Sequence, residues 1–165
     1  MFKKLDRNKK GFTIIEVLIV LAIAGLILLI VFLAVPALQR NSRNTQYRNE
    51  ASHLLSATQE FVNNNNGTLP AASGSGTAGS NAASIYALAG PPKNIATLTI
   101  VASGTTSAQS PSLTTAILVS GGVKCGTVGG ATITPTTTGA SARSLALIFA
   151  VENSDGTVNA QCSES

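Results

Sequence analysis

Glu16 is the residue that most demands a chemical explanation. It places a carboxylate one position before residues 17–38 (VLIVLAIAGLILLIVFLAVPAL), a run with no polar side chain. A charge at the centre of a membrane helix costs about 2.5–3.5 kcal/mol on insertion scales, and less near the helix end. Two chemistries fit. In one, Glu16 rests at the membrane interface as a terminal charge. In the other, the Gly11–Phe12 peptide bond is cut, and Phe12 gains a free α-amine four residues before Glu16. An ammonium and a carboxylate so spaced can pair within one chain or across two packed copies. In a low-dielectric bundle such pairing sets the stagger between subunits, because an unpaired buried charge is costly. The small Gly11 suits a peptidase subsite, and Lys9 and Lys10 hold the leader in the cytoplasm.

Elsewhere the sequence is poor in reactive groups. His53 is the sole histidine, with no cysteine near it and only Glu50 and Glu60 as neighbouring carboxylates. It reads as a solvated or interfacial side chain, not as a base or ligand. The glycines form no phosphate-binding G-x-x-x-x-G-K-[ST] pattern, and no acidic cluster of the calcium-binding kind occurs. No catalytic residue, metal ligand or cofactor is expected. Asn66-Gly67-Thr68 matches a glycosylation sequon, and Ser/Thr-rich stretches offer hydroxyls, both read as decoration. Cys125 and Cys162 are the two cysteines, both beyond the apolar run. An even pair in an extracytoplasmic domain favours a disulfide, with two free buried thiols as the alternative.

The charge distribution narrows the function classes. Residues 1–11 hold five basic groups and one acidic, which accounts for the whole net charge of +4. The remaining residues balance six against six, so the pI near 9.4 belongs to a short leader. A nucleic-acid reading therefore loses its main support. Only six charges fall in residues 63–165: Lys93, Lys124, Arg143, Glu152, Asp155 and Glu164. Such a surface is solvated by Ser, Thr, Asn and Gly, or covered by neighbouring copies.

The elements that must carry these groups follow from periodicity. A basic n-region before an apolar segment resembles a Sec signal, and Val35-Pro36-Ala37 could pass as its cleavage site, but the run is too long for one. At about 1.5 Å per residue it spans about 33 Å, the thickness of a bilayer's hydrocarbon core. Beyond it, Tyr47, Ala51, Leu54, Leu55, Thr58, Phe61 and Val62 recur at helical steps, so one helix is expected from about 13 to 63, ending at Asn63–Gly67. Its first half must lie in lipid or among other helices, and its second half covers a head. Pro36 removes a backbone donor and is expected to kink the helix, while Gly25 allows close helix approach. Residues 66–94 read as a Gly/Ser-rich loop with a helical turn at Ala82–Leu88. The β-like runs are Ile95–Ala102, Leu113–Ser120, Thr127–Thr134 and Leu145–Glu152. Asn153–Gly156 then turns into a last strand, Thr157–Cys162. The expected fold is α+β, a long N-terminal helix packed on a small antiparallel sheet.

Lys9-Lys10-Gly11-Phe12-Thr13-Ile14-Ile15-Glu16-Val17-Leu18 resembles the class III leader junction of the type IV pilin family, and the likeness extends to about residue 65. Pro36 lies later than in the common bacterial pattern. The resemblance implies a leader, residues 1–11, removed by a membrane prepilin peptidase at Gly11–Phe12, then N-methylation of Phe12. It implies that Glu16 pairs with the Phe12 amine of an adjacent subunit, that residues 12–38 form a membrane and filament-core helix, and that 39–65 form its amphipathic half. The head, residues 95–165, would follow the 66–94 loop, and the resemblance strengthens the Cys125–Cys162 pairing. The implied partners are identical subunits, the peptidase, the pilus assembly machinery and the cytoplasmic membrane. The precursor would reside in that membrane and the product in a surface filament serving adhesion, twitching motility or DNA uptake. Alternatives are a pseudopilin of a secretion or competence system, an unprocessed single-span anchor, and a Sec-secreted domain.

Overall fold

The computed structural model describes residues 11–72, 81–90 and 93–165. The leader up to residue 10, the Gly/Ser run 73–80 and Pro91-Pro92 lie outside the described residues. The chain divides into two compact units, Met1–Gln39 and Arg40–Ser165.

One helix, α1, runs from Ile14 to Asn64 with Pro36 inside it. Up to Gln39 every residue from Gly11 is exposed, because its apolar side chains cover all faces and no other element of that unit packs on them. Beyond Arg40 the expected stripe is buried, namely Tyr47, Ala51, Leu54, Leu55, Thr58 and Val62, with Phe61 partly so. Ala57 joins it. The Thr58 hydroxyl, fully buried, donates to the Leu54 carbonyl at 2.7 Å. The helix closes on a left-handed Asn66 (φ 54°) and Gly67 (φ 81°), with the Gly67 N–H donating to the Val62 carbonyl at 2.8 Å. This six-to-one bond satisfies one of the carbonyls that a helix end leaves orphaned.

The head adds α2 (Asn81–Ala89), β1 (Thr97–Val101), β2 (Thr115–Val119), β3 (Lys124–Gly129), β4 (Thr132–Thr136), β5 (Ala146–Glu152) and β6 (Val158–Glu164). Four strands form one sheet in the order β1-β2-β5-β6, and β3 and β4 form a separate hairpin. The α+β class stands, with two corrections. First, the sheet is not wholly antiparallel. β1 and β2 pair in parallel, Thr97 opposite Thr115 and Val101 opposite Val119, while β2–β5 and β5–β6 are antiparallel. Parallel neighbours need a long crossover, and residues 102–114 supply it. Midway, Gln109 exchanges two backbone hydrogen bonds with Ile133 of β4, at 2.8 and 2.9 Å. Second, the run Thr127–Thr134 is not one strand. It is broken by a turn at Gly130 (φ 66°), which glycine adopts without steric penalty.

The sheet is the middle of three layers. Leu98, Ile100, Ala116, Leu118, Leu147 and Phe149 face the cluster shared with Leu54 and Ile85. The alternate residues Ile117, Val119, Ala146 and Ile148 face a second cluster with Val123 and Ile133, beneath the β3–β4 hairpin. Covering on both faces explains why β5 is buried at every position from Ala146 to Val151 rather than alternating.

Candidate functional site: the N-terminal junction and the head that follows it

At the N-terminal junction Thr13 caps α1. Its backbone N–H and its hydroxyl both donate to Glu16 Oε2, at 2.8 and 2.7 Å, and the Glu16 N–H reaches back to the Thr13 hydroxyl at 3.4 Å. This is a capping box, the T-x-x-E arrangement that gives orphaned N–H groups a partner. A carboxylate there also lies at the positive end of the helix dipole. Glu16 is thereby held at the first turn, next to the segment that carries the Phe12 nitrogen. Charge and spacing single out Glu16 but not Thr13, although Thr13-Ile14-Ile15-Glu16 is the capping pattern in plain form.

Phe12 is 90% exposed, and a Cβ built on Gly11 would meet no atom within 4 Å. Among the described residues nothing therefore requires glycine at position 11. Gly25 is likewise open, with no atom within 4 Å of a built Cβ. Pro36 sits inside the helix with no N–H to offer the Phe32 carbonyl. The apolar stretch is long enough to cross a membrane, and none of it is buried.

The head begins at a polar clamp. Arg43 pairs with the Glu152 carboxylate at 2.6 Å, and Asn44 exchanges two 2.8 Å hydrogen bonds with the Glu152 backbone. Arg40 donates to the Ser154 carbonyl at 2.8 Å and Arg48 to the Gln161 side chain at 3.1 Å. The hydrogen bond to Glu152, then its charge, holds the Arg43 guanidinium above its ordinary pKa. These residues fasten the β5–β6 hairpin to α1. Glu50 does the same for the start of β1, accepting the Asn94 and Ile95 backbone N–H groups at 3.0 and 2.9 Å. Nearby, burial first and the Glu50 charge second push the Tyr86 hydroxyl up to about 12.

Cys125 and Cys162 are joined by a disulfide, with Cα atoms 5.8 Å apart. It staples the β3–β4 hairpin to β6, where the Cys125 N–H also donates to Glu164 at 2.7 Å and the Ala160 N–H to the Gly130 carbonyl at 2.8 Å. His53 is exposed on α1, lining a groove of about 400 Å³ with Glu50 and Lys93. No group of three potential metal ligands occurs among the described residues.

Residues 6–32 match the family described as the prokaryotic N-terminal methylation motif. No curated protein and no solved structure matches the chain.

Proposed function

We propose that this chain, which carries the N-terminal methylation motif and is type IV pilin-like, is a structural subunit of a type IV pilus. The motif supports a prepilin-peptidase substrate of the pilin or pseudopilin type, membrane-anchored as a precursor. The finer steps belong to the proposal. The peptidase cuts between Gly11 and Phe12, Phe12 is N-methylated, and the mature chain leaves the membrane for a homopolymer on the cell surface.

The observation that carries this reading is a single carboxylate, Glu16, at the start of a helical stretch whose apolar side chains are all exposed. A stretch of α1 with every large apolar side chain from Phe12 to Leu38 uncovered has no stable place in water. Lipid can cover it before assembly, and the same stretch of other subunits can cover it afterwards. In the second setting Glu16 cannot remain unpaired without a large penalty. Cleavage supplies a cation, the Phe12 amine, beside the turn where Thr13 already holds the carboxylate. Subunits stack in the register that brings each Glu16 to such an amine.

Adhesion, twitching motility and DNA uptake are the roles such a filament would serve. The direct test is the intact mass and N-terminal sequence of the protein recovered from its native cells, together with its abundance on sheared surface fibres. A chain beginning at N-methylated Phe12 and abundant on long fibres is the expected result. The same N-terminus without fibres would point to a pseudopilin, and a chain retaining Met1 or beginning near Leu38 would overturn the reading.

A further inference from the structure

Asn66-Gly67 is the one Asn-Gly pair in the sequence, and it stands just past the end of α1. Asparagine followed by glycine is chemically unstable. The backbone nitrogen of the next residue can attack the side-chain carbonyl carbon, and glycine, with no Cβ, hinders that approach least. The new C–N bond closes a cyclic imide. The side-chain nitrogen leaves as ammonia, taking up the proton that the backbone N–H gives away, and water then opens the ring. Opening at one carbonyl gives aspartate. Opening at the other gives isoaspartate, in which the main chain runs through the former side chain. Water is the sole co-reactant.

The fold treats the two partners of this reaction differently. Asn66 is exposed, so its side chain is open to water. The nucleophile is tied down. The Gly67 N–H donates to the Val62 carbonyl at 2.8 Å, and the next N–H, that of Thr68, donates to the Asn65 carbonyl at 3.0 Å. Gly67 is also covered from the side, since a Cβ built on it would run into the Arg143 guanidinium. Attack therefore requires Gly67 to release Val62 first, which opens the Asn66–Gly67 cap. Helix ends open locally at a far smaller free-energy cost than the whole fold.

We propose that Asn66 is a modification site of this chain, an asparagine that deamidates only through an opened C-cap of α1, with the Val62 hydrogen bond and the Arg143 cover as its gate. Conversion is one-way. It places a new carboxylate at the negative end of the helix dipole, where an anion is unfavourable. In the isoaspartate form it also lengthens the main chain inside the ring that the Gly67–Val62 bond closes. Each converted chain holds its helix end less firmly, and converted chains accumulate with age. None of these steps depends on the chain being a pilus subunit.

The test is incubation of the protein recovered from its native cells, in detergent at mildly alkaline pH, with peptide mapping that separates aspartate from isoaspartate at position 66. The folded chain is expected to convert about tenfold or more slowly than the same chain in denaturant, because opening must precede attack. Arg143 is exposed, and Arg143→Ala is expected to raise the folded-state rate several-fold while leaving the denatured rate unchanged. Equal rates in folded and denatured chains would overturn the gate, and so would an Arg143→Ala chain that converts no faster than wild type when folded. A denatured chain that stays unconverted, or a glycan already attached to Asn66, would overturn the site itself.

Discussion

Within a single helix, residues 14–39 and residues 40–64 solve opposite problems. The first stretch is apolar on every face and exposed throughout. The second is apolar on one stripe, and that stripe is buried against the sheet. Helix formation is common to both, since it depends on local backbone bonding and propensity. What differs is where the partner surface comes from. The second half finds it inside the chain, so its stability is a property of the folded head. The first half finds none among the described residues of its own unit, so in the proposed pilus lipid or other copies must supply it. Damage in the two regions should therefore be visible in different measurements.

The largest expected effect falls at the junction. Gly11→Val should block leader removal, because the bulk meets no obstacle in the folded chain and must instead obstruct the peptidase. Precursor mass in the membrane fraction checks this, with the head remaining as resistant to heat as wild type. Glu16→Val should leave the precursor inserted and cleaved but cut filament yield by at least an order of magnitude, since in the proposed filament that charge sets the register. Normal yield from that variant would sink the proposed pairing.

In the head, effects should appear as stability instead. Replacing Cys125 and Cys162 together by serine opens a 37-residue link and should cost about 3–4 kcal/mol. Chemical denaturation of the processed chain in detergent would show it, with the β3–β4 hairpin the first segment to become protease-sensitive. Asn44→Ala removes both hydrogen bonds to the Glu152 backbone and should cost about 1–3 kcal/mol in the same assay. The smallest effect is the acid dependence of the β5–β6 turn. The Asp155 carboxyl is held below its ordinary value of 3.8 by the Thr157 hydroxyl and N–H. Its stabilising contribution is therefore present above about pH 4 and lost as pH falls through the depressed value. Asp155→Asn should flatten the acid limb of the melting profile below pH 4 and leave the neutral region nearly unchanged.

Much of this comparison is written in local stretches of the chain. The uninterrupted run 17–38, the period of Tyr47, Ala51, Leu54 and Leu55, and the Asn-rich stop are local signals, and α1 starts and ends within a residue of where they place it. The β5–β6 hairpin is legible for the same reason, since Asn153–Gly156 is a turn by composition. The Thr13 cap is equally local, but its T-x-x-E pattern marks a helix start and is easily hidden behind the charge of Glu16.

What stays hidden depends on contacts between residues distant in sequence. The parallel pairing of β1 and β2 is decided by the path of residues 102–114 past Ile133, which no local pattern encodes. The hairpin β3–β4 lies across the sheet because Val123 and Ile133 find Ile117, Val119 and Ile148 there. Gly126 is explained only in that fold, where a Cβ would run into the Thr134 carbonyl oxygen. Glu50 has the sequence context of a solvated helix charge, yet it holds the backbone of Asn94 and Ile95, more than forty positions away. The sequence by itself determined the helix, its two-part character and the cysteine pair, because periodicity and residue count are properties of the chain. Only the tertiary structure decided strand order, the three layers and the engagement of each polar side chain, because these follow from which surfaces exclude water together.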